Sequence, residues 1–243
     1  MLQNRNVRIL AALVGVGVLV ALLGAAYIWF SAGSGEPSTA ITAPTLEAQT
    51  SAEENRTLFR IIPEESTVRF IINEELMGTP TTVVGETNQV AGDILVDFAT
   101  PINSLPGTIR INIATLATDN EFRNRALRGQ ILQSNQPQNE FAEFVPSTVS
   151  GLPETITIGE PITFQITGNL TVRGVVRENT TFEATVTPVS ETRLEGSATT
   201  EVLYTEFGMS IPNAPGVANI TEAVQLEIDF VAAAVTEGEA TGG

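Results

Sequence analysis

Between Leu58 and Val235 apolar residues recur with a period of two, and this alternation restricts the chain more than any other feature. Val68, Phe70 and Ile72 alternate with Thr67, Arg69 and Asn73; Ile94, Val96 and Phe98 alternate with Asp93 and Asp97. Ile109, Ile111 and Ile113 alternate with Arg110 and Asn112, and Ile162, Phe164 and Ile166 with Thr163, Gln165 and Thr167. Phe182, Ala184 and Val186 alternate with Thr181, Glu183 and Thr185; Val224, Leu226, Ile228 and Phe230 alternate with Gln225, Glu227 and Asp229. Each segment therefore carries its apolar side chains on one face of a strand. A sheet with one apolar face must cover it, as a sandwich or a barrel, and closure also removes the exposed edges of long strands. Turn chemistry separates the segments at Thr100-Pro101, Pro106-Gly107, Gly151-Leu152-Pro153, Gly159-Glu160-Pro161 and Pro212 to Gly216. Gly168, inside the stretch Ile162 to Val172, predicts a bulge or a sharp bend.

One stretch departs from this period. Thr118-Asp119-Asn120-Glu121 reads as a capping box with Thr118 as N-cap, and Phe122, Ala126 and Leu127 follow at helical spacing. Gly129 is placed to end that short helix. Arg123, Arg125 and Arg128 lie on it, grouped within an acidic chain.

The ends have a different character. Ile9 to Phe30 is a run of 22 uncharged residues, about 30 Å as a helix and so enough to cross a bilayer core. Tyr27, Trp29 and Phe30 close it, and Arg5 and Arg8 precede it. That arrangement predicts a single N-terminal transmembrane helix with a cytoplasmic N-terminus and a periplasmic or extracellular remainder. A cleaved secretory signal is the rival reading, but its apolar core would be shorter. The organisation expected is an anchor over 1–30, a disordered linker over 31–56, a β domain over 57–235 and a flexible tail over 236–243.

Composition narrows function. The 243 residues include no Cys and no His, and all 12 basic residues are Arg. Thiol chemistry, a lipid-modified cysteine and histidine-based catalysis or metal binding are therefore excluded. There is no Gly-x-Ser-x-Gly elbow, Gly-rich phosphate loop or Asp-x-Asp-x-Asp-Gly calcium loop. With a net charge of −16 the chain repels phosphate backbones, so no nucleic-acid partner is expected. No enzyme activity and no cofactor are expected.

The chain resembles the YceI-like domain family from about Leu58 to Ala233. The residues that carry the resemblance are Ser66-Thr67-Val68-Arg69-Phe70, Gly92-Asp93-Ile94, Thr118 to Arg128, Phe141-Ala142-Glu143-Phe144, Gly168 to Val176, and Phe207-Gly208-Met209 with the strand Val224 to Phe230. The resemblance implies an all-β fold, an extended antiparallel lipocalin-like β-barrel with one short helix, and binding of polyisoprenoid lipids such as isoprenoid quinones. Inward side chains of such a barrel either fill it or line a cavity, and filling is the commoner outcome in small barrels. The candidates for a lipid-contacting lining are Phe70, Ile72, Ile94, Val96, Phe98, Ile111, Ile113, Phe122, Leu127, Phe164, Ile166, Leu170, Phe182, Phe207, Leu226, Ile228 and Phe230. Arg123, Arg125 and Arg128 are the candidates for a head-group contact; the bland reading is a solvated helix face. The expected partners are a polyisoprenoid lipid and, through residues 9–30, the membrane. A homodimer is left open, as is a non-catalytic interaction domain with a filled core.

Overall fold

A computed structural model describes residues 14–20, 22–24, 26–27, 33–46 and 56–235. The alternating segments pair as antiparallel strands: β1 (Thr57–Ile61), β2 (Thr67–Leu76), β3 (Thr79–Thr87), β4 (Val90–Ala91), β5 (Asp93–Val96), β6 (Leu105–Pro106), β7 (Ile109–Asn112), β8 (Phe141–Ser150), β9 (Ile162–Val172), β10 (Val175–Ser190), β11 (Arg193–Leu203), β12 (Val217–Ala218) and β13 (Ala223–Ala234). β1 and β2 form one path, broken at the 3-10 turn Pro63–Glu65, and both pair with β13. β3, β4 and β5 form a second path, with β3 on β2 and β5 on β1. β4 pairs with β7, and the ladder continues through β8, β9, β10 and β11 to β13. Counted as paths, β1/β2, β3/β4/β5, β7, β8, β9, β10, β11 and β13 make eight strands in a curled lipocalin-like barrel. The seam between β4 and β7 is held by two residue pairs, Val90–Ile111 and Ala91–Arg110.

Connectivity gives the barrel two unlike ends. At the helix end lie the β2–β3 turn, the helical connection from β7 to β8, the β9–β10 turn and the connection from β11 to β13. At the terminus end lie the β8–β9 and β10–β11 connections and the two ends of the barrel chain, Thr57 and Ala234. A hydrophobic cluster serves each end. Ile72, Val83, Phe144, Leu170, Val202 and Phe207 belong to the first, and Phe59, Ile61, Val90, Leu194, Phe230 and Ala232 to the second.

The helix spans Glu121–Ala126, and its cap lies two residues beyond the expected one at Thr118. Asn120 is the N-cap: its side-chain oxygen accepts from the Phe122 and Arg123 amides. The Thr118 hydroxyl instead donates to the Asn124 side chain at 2.8 Å. Gly129 does not end the helix either. It sits inside a π-helical turn, Leu127–Ile131, where the Leu132 amide reaches the Leu127 carbonyl.

Residues 33–46 differ from the solvated linker expected of them. They lie along the outside of the barrel as a strap. The Ser38 amide and hydroxyl both donate to the Glu140 carboxylate, at 3.1 and 2.7 Å. The Thr42 carbonyl accepts from Arg110, and the Leu46 amide donates to Asp93. Burial alone would raise the Glu140 pKa, but donation from Ser38 and Asn112 outweighs it and holds the carboxyl below its ordinary range. A depressed carboxylate pKa stabilises the fold above the unfolded value, and that contribution is lost as pH falls through the folded value. Hydrogen exchange should therefore show the Ser38 amide protected at neutral pH and progressively less so below the usual glutamate range. Equal protection factors at both pH values, taken relative to the intrinsic exchange rate at each, would refute the anchoring role of Glu140.

Of the apolar run Ile9 to Phe30, residues 14–20 and 22–24 are helical with exposed Val and Leu side chains, and the rest of the expected anchor lies largely outside the described residues. Among the described residues no helix is long and apolar enough to cross a membrane. The expected tail over 236–243 also lies outside the described residues.

Candidate functional site

Strand alternation turns one side chain in two toward the barrel axis. There the side chains enclose a cavity of about 800 Å³ lined by β2, β5, β7 to β11 and β13. The lining reaches both ends: Leu76, Phe122 and Ile211 at the helix end, Leu105, Leu152, Ile156 and Pro188 at the terminus end. The interior is thus hollow, unlike the filled core that is commoner for small barrels.

Glycines in the wall explain the space. Gly85 stands directly opposite Phe70 and Gly196 directly opposite Phe230. A methyl group at Gly85 would overlap the Phe70 ring, and one at Gly196 would lie 2.9 Å from the Phe230 ring. The rings can therefore lie against the sheet. Phe144 reaches over Gly168 in the same way and packs edge-on against Phe182, with centroids 4.8 Å apart. Aromatic side chains that would otherwise cross the bore line it.

Sixteen of the seventeen residues expected to face a cavity do line it: Phe70, Ile72, Ile94, Val96, Ile111, Ile113, Phe122, Leu127, Phe164, Ile166, Leu170, Phe182, Phe207, Leu226, Ile228 and Phe230. Phe98 does not. β5 ends at Val96, and the Asp97 carboxylate then accepts from the Ala99 and Thr100 amides, turning the chain out of the strand. Phe98 packs edge-on against Phe59 in the terminus-end cluster instead. The same amides, Thr100 foremost, hold the Asp97 pKa down.

The arginines separate. Arg123 borders the cavity, and its guanidinium bridges Glu74 at 3.1 Å and Asp119 at 2.7 Å. Arg125 and Arg128 pair with Glu121 and do not reach the cavity. Arg128 is buried and faces the strap at Gly35. Glu74, Asn120, Gln130 and Asn213 also reach the cavity at the helix end, so a head group there would meet polar partners. Phe144, Val202, Tyr204, Met209 and Ile211 line the cavity although they are not among the lining candidates read from the sequence. Phe144 follows the same alternation as Ala142 and could have been found. Ile211 immediately precedes the turn stretch Pro212 to Gly216 and belongs to no alternating segment. Among the described residues no group of three or more acidic side chains is placed to hold a metal ion.

The YceI-like domain model matches residues 59–232, which is the whole barrel. The chain belongs to the YceI-like family. Its fold is also similar to solved structures, among them these two. One is a polyisoprenoid binding domain from Saccharophagus degradans implicated in plant cell wall breakdown, with a TM-score of 0.56 at 13% identity, over 73% of this chain and 98% of that one. The other is BcnA from Burkholderia cenocepacia, with a TM-score of 0.52 at 18% identity, over 70% of this chain and 98% of that one. At such identities the likeness concerns the fold. No curated protein matches the chain by sequence.

Proposed function

We propose that this YceI-like protein is a membrane-anchored, extracytoplasmic binding protein for a polyisoprenoid-type lipid, such as an isoprenoid quinone, and that it carries or sequesters that lipid without catalysis. The cavity carries the reading: about 800 Å³ of apolar space inside the barrel, within the usual range for small-molecule sites. Each buried methylene contributes about 0.8 kcal/mol, so a twenty-carbon isoprenoid supplies roughly 15 kcal/mol before the costs of association. No polar chemistry is needed for tight binding. The sixteen lining residues named above contact the chain of the lipid, and Arg123, at the rim, meets the head group. Residues 9–30 hold the protein in the membrane, where such a lipid resides. The filled-core alternative loses its support, because the interior is open.

The test is to express the full chain in a membrane-containing host, purify it in detergent, extract it and identify lipids by mass spectrometry. The same preparation of an Ala198→Phe chain, whose bore is obstructed, subtracts lipid held only by the anchor. An isoprenoid enriched in the wild-type extract supports the proposal. Identical extracts, together with no uptake of added isoprenoid quinone, would overturn it.

A further inference from the structure

We infer that the helix end of the barrel is a docking surface for a lipid bilayer, held in that orientation by the strap. The inference rests on the lipid-binding reading above and adds the route by which the ligand enters.

Three observations converge. First, the rim at this end is apolar and exposed: Met77 is 80% exposed and Phe122 62%, with Leu76 beside Met77. Leu76 and Phe122 also line the cavity, so apolar surface continues from the bore to the outside. Exposed apolar patches of this kind mark interaction sites. Second, the residue at the tip is unusual. Met77 and Gly78 form the two-residue β2–β3 turn with φ of 52° and 81°. Asn or Gly is favoured at the first of these positions, because a left-handed backbone strains other side chains. Here the strained position holds a long apolar side chain facing solvent, and strain kept at a surface position points to use.

Third, the strap reverses the direction from which the barrel is tethered. The barrel chain begins at Thr57, at the terminus end. A loose linker would leave that end nearest the anchor. Instead the strap runs from Leu46, beside Asp93 and Gly107, past Arg110 and Glu140 to Gly35 at Arg128 and Gly33 against Asn135. Asn135 and Arg128 belong to the helical connection that forms the helix end. The N-terminal end of the strap, Gly33, therefore lies at the helix end, and the apolar run precedes it in the chain.

The partner is a bilayer rather than an anionic surface in particular. The chain carries a net charge of −16, and Glu75 and Asp119 stand near the rim, so anionic head groups would be repelled. Insertion of Met77 and its neighbours into the interface needs no head-group charge. A lipid could then pass between bilayer and bore without crossing water.

The absence of cysteine makes the test direct. Met77→Cys and, at the terminus end, Ile158→Cys are each labelled with an environment-sensitive fluorophore. The full chains are reconstituted into phosphatidylcholine vesicles carrying an isoprenoid quinone. The label at 77 should shift to the blue and be quenched at least about threefold more by spin-labelled lipid than the label at 158. Adding Ser38→Pro, which removes both strap donors to Glu140 and leaves that of Asn112, should reduce that difference. Equal quenching at the two positions overturns the docking surface. A blue shift that depends on protein concentration and not on spin-labelled lipid overturns it in favour of a second copy of the chain. Unchanged quenching after Ser38→Pro overturns the role of the strap. Quinone extraction from the same vesicle-bound protein is read separately: bound quinone without quenching defeats docking alone, and quenching without bound quinone defeats the lipid-binding reading alone.

Discussion

A chain carrying Ala198→Phe should fold as the parent does and bind an isoprenoid quinone roughly a hundredfold more weakly. Ala198 on β11 stands opposite Ala184 on β10 and Ile228 on β13, and all three line the cavity. Two facing alanines make the bore wide at this level, and a phenyl group placed there enters open space. The usual cost of overpacking, about 1–3 kcal/mol, arises from forcing atoms into a filled core. That cost is absent here, so the melting temperature should stay within a few degrees of the parent value. The ligand fares differently. Excluding about four methylene groups from the wall removes ~3 kcal/mol of burial, a factor of ~100 in affinity. Equilibrium uptake of radiolabelled quinone and thermal unfolding of the same sample separate the two effects. Unchanged uptake would mean that lipid does not occupy this part of the bore. Equal loss of uptake and stability would mean that the space is needed for folding.

The strands were legible in the sequence because their signal is local. An inward row such as Val68, Phe70 and Ile72 declares itself without knowledge of its partner. Where a polar side chain redirects the backbone, the pattern misleads: Phe98 continues the row of Ile94 and Val96, but Asp97 captures two amides and ends the strand first. The helix start shows the same competition, since Thr118 and Asn120 are both good caps and only the packed structure decides that Thr118 is engaged by Asn124.

The hollow interior was not legible, and the reason lies in register. Whether Phe70 crosses the bore depends on what stands opposite it. That residue is Gly85 because the two-residue turn at Met77 and Gly78 sets the β2–β3 pairing. The strap was hidden for a related reason. Its contacts are main-chain amides, a carbonyl and one serine hydroxyl, so its composition still reads as a linker. Its partners, Asp93, Arg110 and Glu140, come together only when the barrel forms.

Gly168 joins these two kinds of evidence and supports the largest expected loss of stability. The sequence marks it as a bend within a long strand, and both neighbours of β9 slip in register beside it. β8 shifts between Pro146 and Thr148, and β10 between Arg177 and Thr180, with Pro146 and Thr180 each paired to Gly168. A methyl group there would overlap the Val145 carbonyl and lie 2.8 Å from the Pro146 Cα. Those are main-chain atoms of the adjacent strand, so relief requires β8 to move away and the bend to open. Gly85→Ala, by contrast, meets only the Phe70 ring, which can swing into the empty bore. Gly168→Ala should therefore cost about 3 kcal/mol or more and Gly85→Ala about 1 kcal/mol, with Gly85→Ala also weakening quinone uptake. For a domain of this size the first loss lowers the melting temperature by roughly 10 °C. Urea unfolding of the two variants gives the comparison. A Gly168→Ala chain within about 0.5 kcal/mol of the parent would show that the wall bends without close approach of the two backbones, and the curvature that keeps the bore open would then need another cause.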